Sequence, residues 1–125
     1  MGDLAYWPAA KPLSKKNTFA KNRDFIKNLD HIDQIWEKLK FKCGDTLAVC
    51  DLRGKYKEKF SYSELADLIT KVSLSFKNYG LEKGDVVTVI SENSPRWLAV
   101  DQGLMRLGAI NLSLIHISEP TRRLV

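Results

Sequence analysis

One carboxylate in this sequence stands where chemistry could be done. Asp101 lies in the run WLAVDQGLM, beside Gln102, among residues that need a core. A buried carboxylate must be hydrogen-bonded or neutral, which makes Asp101 a candidate for a perturbed acid. Its residue type suits a structural role better: a partner to a backbone amide, or to Arg96 or Arg106. The other chemistry-bearing residues do not converge. His31 and His116 are isolated, with no His-Glu-x-x-His or Cys-x-x-Cys beside them, whereas zinc needs three or four ligands. Cys43 and Cys50 form neither a disulfide framework nor a metal spacing and read as reduced, partly buried thiols. Ser63, Ser91 and Ser94 are hydroxyls without a Gly-x-Ser-x-Gly elbow. The 7 glycines give neither a phosphate loop nor a dinucleotide fingerprint. Gly80 and Gly84 match the Gly-x-x-x-Gly spacing but bracket a charged turn, so that match has no weight. From residue types alone there is no assembled active site. No residue is assigned a catalytic, cofactor-binding or metal-binding role.

The elements that would position these residues are readable from spacing. Ile32, Ile35, Trp36 and Leu39 fall on one face of a helix. Asp30 is placed to cap that helix, Lys38, Lys40 and Lys42 favour its C-terminal carbonyls, and Gly44 should end it in the left-handed conformation. Thr46–Leu52 reads as a strand, Arg53-Gly54-Lys55 as a turn, and the segment through Phe60 as a short returning strand. Ser61-Tyr62-Ser63-Glu64 is a capping box. Behind it Leu65, Leu68, Ile69, Val72, Phe76 and Tyr79 keep helical spacing until Gly80. Val86–Ile90 is a nearly continuous β-branched run, which predicts a parallel strand buried on both faces. Ser94 then caps a helix with Pro95 at its first position, Gly108 ends it, and Ala109-Ile110-Asn111 begins the next parallel strand. The order is helix, hairpin, helix, then βαβ, so the fold class is α/β.

Composition sets the frame. Hydrophobic residues make up 44% and charged residues 28% of the 125, the balance of a globular chain rather than a disordered one. The net charge of +5 is unevenly placed. Met1–Lys27 carries Lys11, Lys15, Lys16, Lys21, Arg23 and Lys27 against Asp3 and Asp24, while Asn28–Asn111 is neutral. The basic character therefore belongs to a leading arm, residues 1–29, best read as solvated. Nucleic acid is not expected as a partner, and peripheral contact with an anionic membrane surface is a further option on the same weak grounds. No run of ~18 apolar residues is present to span a bilayer, and MGDLAYW lacks the pattern of a secretory signal. The expected location is cytoplasmic.

The run SENSPRWLAVDQGLMRLGA, Ser91–Ala109, strongly resembles the adenylate-forming enzymes of the AMP-binding superfamily. The likeness is to long-chain acyl-CoA synthetases and acyl–acyl-carrier-protein synthetases of the cyanobacterial and plastid type. Ile35-Trp36-Glu37 through Cys43-Gly44-Asp45, Phe60–Leu65 and Gly80–Val89 agree in order and spacing. The likeness covers about Ile32–Asn111, which is therefore read as a partial N-terminal domain over residues 30–111. The resemblance implies a two-step reaction, in which a fatty acid attacks MgATP to give an acyl-adenylate and a thiol of coenzyme A or acyl carrier protein then takes the acyl group. It also implies a phosphate loop and a lysine beyond the matched region, so this stretch is expected to be scaffold and inactive alone. MgATP and the thiol acceptor belong, on this reading, to a longer parent protein.

Residues 112–125 depart from the family pattern. LSLIHISEPTRR, Leu112–Arg123, resembles a translated sequencing adapter, and it is read as a non-native tail. His116 then has no claim to chemistry. The rival reading is a small self-contained α/β binding module whose basic arm contacts nucleic acid or an anionic surface. Steep salt dependence of polyanion binding would distinguish it.

Overall fold

The computed structural model describes residues 27–53 and 57–114. Residues 1–26 of the basic arm, Gly54 and Lys55 of the predicted turn, and the tail from 115, with His116, lie outside the described residues. Two compact units divide the chain after Ile32, and the unit from Asp33 onward holds the α-helices and strands described below.

A 3-10 turn over Ile32–Gln34 leads into α1, Ile35–Cys43. The helix thus starts later than expected, and its N-cap is Gln34, which makes no side-chain capping bond. Asp30 is too far upstream to serve as that cap. A second expectation also fails at the other end. Gly44 is right-handed, with φ −53° and ψ −38°. Glycine is required there by space rather than by handedness, because a Cβ would lie 2.5 Å from the Lys40 carbonyl oxygen. That oxygen is backbone and cannot move aside cheaply. The Gly44 carbonyl in turn accepts from the Ser63 amide at 3.0 Å, and that of Thr46 accepts from the Tyr62 amide at 2.9 Å.

Strands β1, Leu47–Asp51, and β2, Glu58–Ser61, pair antiparallel, with Asp51 opposite Glu58 and Val49 opposite Phe60. The register shifts between Leu47 and Val49. Ser61 ends β2 and caps α2, Tyr62–Asn78. Its hydroxyl accepts from the Glu64 amide at 3.1 Å, and the Glu64 carboxylate accepts from the Ser61 amide at 2.8 Å. This is the reciprocal box expected from the sequence. The helix stops at Gly80, whose φ of +93° disfavours any side chain. Tyr79, expected on the apolar face, is the C-cap and is 91% exposed.

Strand β3, Val86–Val89, helix α3, Pro95–Leu107, and strand β4, Ile110–Ser113, form the predicted βαβ unit. The Ser94 hydroxyl accepts from the Trp97 amide at 3.1 Å, with Pro95 next. Gly108 closes the helix at φ 71°. Strands β3 and β4 run parallel, Val86 opposite Ile110 through Val89 opposite Ser113. They form a sheet separate from β1–β2.

The core lies between α2, α3 and the hairpin. Leu65, Ile69 and Ala99 are fully buried and are surrounded by Trp36, Ala48, Val49, Phe60, Leu68, Val72 and Leu98. Leu104 is also fully buried. Gly103 permits the close helix contact: a Cβ there would stand 2.9 Å from Val72 Cγ1 and 3.2 Å from the Ser73 amide nitrogen.

The expected burial of β3 on both faces is not what the structure shows. Alternate residues Val87, Val89, Asn111 and Ser113 are partly buried, while Val86, Ile90, Ile110 and Leu112 are 51–65% exposed. One face of the pair has no cover among the described residues. Contiguous apolar surface of this kind favours association. The 125-residue chain should therefore self-associate in analytical ultracentrifugation, whereas a sharp, cooperative melt of a monomer would contradict this. Separately, Gly103→Ala should lower the denaturation midpoint by an amount equivalent to about 1–3 kcal/mol, because the added methyl meets backbone as well as a side chain.

Candidate functional site

Asp101 is the centre of a polar cluster that crosses the fold. It lies at the middle of α3, a helix turned toward the core by Leu98, Ala99 and Leu104. One of its carboxylate oxygens accepts from the Asn111 side-chain amide at 2.8 Å and the other from the Gln102 side-chain amide at 3.0 Å. Gln102 uses its carbonyl oxygen to accept from the Trp36 indole N–H at 2.8 Å. The chain of bonds thus runs from α1 through α3 to β4. Its polarity is uniform, since every donor leads toward the carboxylate.

The arginine partners that the sequence allowed for Asp101 are engaged elsewhere. Arg96 pairs with Glu58 at 2.7 Å. Arg106 donates to the Thr70 hydroxyl at 2.7 Å and stands 4.0 Å from Asp33 and 3.8 Å from Glu37. Neutral amides take the place of the cation. Sequence reasoning found Asp101 but not Asn111 or Trp36, which are 10 and 65 residues away and carry no local signal.

The remaining candidates are dispersed. Ser61 and Ser94 spend their hydroxyls on helix caps, as their positions predicted. The Cys43 thiol donates to the Leu39 carbonyl at 3.3 Å, and Cys50 sits in β1 opposite Lys59. His31 is exposed. Among the described residues no group of three His, Cys, Asp or Glu is placed to hold a metal ion.

A depression of about 430 Å³ lies between β1 and the start of α3, lined by Cys50, Asp51, Arg53, Asn93, Ser94 and Leu98. Its charges are already matched. Arg53 donates to both Asp51 oxygens, at 3.1 and 3.3 Å, and to the Asn93 carbonyl. The Arg53 hydrogen bonds hold the Asp51 carboxyl below the usual carboxylate range. The same pairing raises Arg53, as Glu58 raises Arg96 and Asp67 raises Lys40. These pairs are exposed, and exposed ion pairs contribute little to stability. They fix side-chain geometry. Because the Asp51 carboxyl is depressed in the folded state, its small contribution is present above the unfolded pKa and is lost as pH falls through the folded one. Arg53→Gln should move the Asp51 titration upward, toward its ordinary value, as followed by carboxyl NMR chemical shifts.

With this geometry in hand, known proteins bear on the chain as follows. The family described as AMP-binding enzyme matches residues 36–122. Probable acyl-activating enzyme 16, chloroplastic, of Arabidopsis thaliana is 31% identical over 81 residues, which is 65% of this chain and 11% of that protein. The long-chain-fatty-acid–[acyl-carrier-protein] ligase AEE15, chloroplastic, of the same plant is 30% identical over the same shares. A crotonobetaine/carnitine–CoA ligase of Escherichia coli is 32% identical over 81 residues, 64% of this chain and 16% of the ligase. Among solved structures, the Klebsiella oxytoca NpsA N-terminal subdomain in complex with 3-hydroxyanthranilyl-AMSN superposes with a TM-score of 0.64 at 25% identity, over 78% of this chain and 24% of that one. IdnL1 gives 0.65 at 22% identity, over 77% and 20%, and supports the fold alone. The chain thus spans 11–16% of the length of these curated relatives. The family match and strand β4 both cross the Asn111–Leu112 boundary drawn from the sequence.

Proposed function

Because the chain belongs to the AMP-binding enzyme family, we propose that it is the opening portion of the large N-terminal domain of an ATP-dependent long-chain fatty acid ligase. Such an enzyme would form an acyl-adenylate and pass the acyl group to a thiol of coenzyme A or acyl carrier protein. The observation that carries this reading is the 30% identity to the chloroplast long-chain-fatty-acid–[acyl-carrier-protein] ligase across 81 residues. The crotonobetaine/carnitine ligase is as similar, and that similarity makes the carboxylate the part most in need of a direct test.

The described residues do not themselves fit MgATP. Phosphates are held by glycine- and hydroxyl-rich loops, and magnesium by converging oxygens. Here Ser61 and Ser94 are consumed as caps, Gly80, Gly84 and Gly108 close turns with positive φ, and no cluster of carboxylates converges. We therefore assign this portion a scaffold role and route no chemical step through it. The same proposal takes the protein as cytoplasmic, with the basic arm available for peripheral membrane contact.

The departure at Leu112 belongs to the proposal as well. Leu112-Ser113-Leu114 alternates as a strand requires, so its pairing with β3 follows from residue type whatever its origin. The nucleotide sequence across the codons for Asn111 and Leu112 tests whether the tail is native. The uninterrupted protein should catalyse fatty-acid-dependent ATP–pyrophosphate exchange and then acyl transfer to a thiol. Exchange with carnitine-type carboxylates and none with long-chain fatty acids would overturn the substrate assignment, and no exchange with any carboxylate would overturn the whole reading.

A further inference from the structure

We infer that Asp101 and Asn111 together form a docking point for a basic side chain, lysine or arginine, from a part of the domain beyond residues 27–114. The inference rests on the proposal that such a part exists. Two observations carry it.

The first is an orphaned acceptor. Asn111 Oδ1 is buried and, among the described residues, has no hydrogen-bond partner. The amide cannot solve this by turning over. Its nitrogen faces Asp101 Oδ1 at 2.8 Å, and reversal would set two acceptors against each other. The carboxylate therefore fixes which end of the amide is left over. A buried carbonyl without a donor has given up its water and gained nothing in return.

The second is a missing counter-charge. Asp101 is half-buried, and both its oxygens are occupied by neutral amides. Among the described residues no cation pairs with it, since Arg96 and Arg106 are committed to Glu58, Asp33 and Glu37. Carboxylates withdrawn from water are ordinarily paired. A water molecule or a backbone amide would satisfy Asn111 but leave the charge. An ammonium or guanidinium donating to Asn111 Oδ1 answers both requirements at once, because the acceptor lies on the residue that already holds the carboxylate.

The test uses the protein encoded by the uninterrupted reading frame. Asp101→Asn keeps the shape and removes the charge; its new amide also opposes a donor unless Asn111 turns over, which withdraws Oδ1 from the docking point. The substitution should lower Tm by ~3 °C or more. Asn111→Ala should cost a similar amount in an Asp101→Ala background, where its bond to Asp101 has already gone. An unchanged Tm for Asp101→Asn, or no residual cost for Asn111→Ala, would overturn the inference. A crystal structure of the uninterrupted protein gives a second readout: a lysine or arginine nitrogen within hydrogen-bond distance of Asn111 Oδ1 supports the inference, and a water or backbone amide there overturns it. Neither readout needs substrate. Failure of ligase activity with the thermal effects intact would sink the functional proposal alone, and the converse would sink this one alone.

Discussion

The close approach of α2 and α3 at Gly103 is the contact on which the other elements depend. Helices that carry ordinary side chains at their crossing keep axes 8–10 Å apart. Here a missing Cβ lets Val72 and the Ser73 backbone come within van der Waals reach of the facing helix. That approach brings Leu65 and Ile69 against Ala99, and the hairpin residues Val49 and Phe60 close the same cluster. The hairpin, α1 and the βαβ unit thus share one small core. Few side chains are fully removed from water, so the volume at position 103 matters more than it would in a larger domain.

Around this core the hydrogen bonds divide by reach. The caps at Ser61 and Ser94 satisfy amides within three residues and define where α2 and α3 begin. The Trp36–Gln102–Asp101–Asn111 chain reaches across three elements and ties the first helix to the last strand. Ion pairs such as Lys40–Asp67 and Arg53–Asp51 sit outside both, at positions where solvent screens them. Their role is to hold side chains over the surface rather than to hold the fold together.

What could be read from the sequence was what short spacing controls. The capping box, the Ser94-Pro95 start and the helix end at Gly108 each need only a few neighbours, and the structure has all three. The errors also have physical causes. Gly44 looked like a conformational stop, but its constraint is the Lys40 carbonyl, visible only once the chain has turned. Tyr79 kept the helical period one residue too long, since the period does not say where the covering surface ends. The β-branched run of β3 spoke for two covered faces, and the described residues supply one. The fate of Asp101 was set by Asn111 across a strand connection, a contact that no residue pattern along α3 encodes. Family resemblance rested on several weak motifs in the right order, and the match over residues 36–122 agrees with it.

The stitching at the start of the parallel strands has a mechanical consequence. The Gly84 amide donates to the Gly108 carbonyl at 2.9 Å and the Ile110 amide to that of Asp85 at 2.8 Å, while the Lys83 side chain lies over Gly108. The turn that launches β3 is thereby riveted to the turn that launches β4. At the opposite ends of these strands the Leu114 amide donates to the Val89 carbonyl at 2.9 Å, continuing the ladder. Where its strands begin, the ribbon is thus tied turn to turn as well as through its ladder. In open parallel sheets ligands gather beyond the carboxyl ends of strands, so this tie braces the pair from the edge opposite the one where a binding crevice would open.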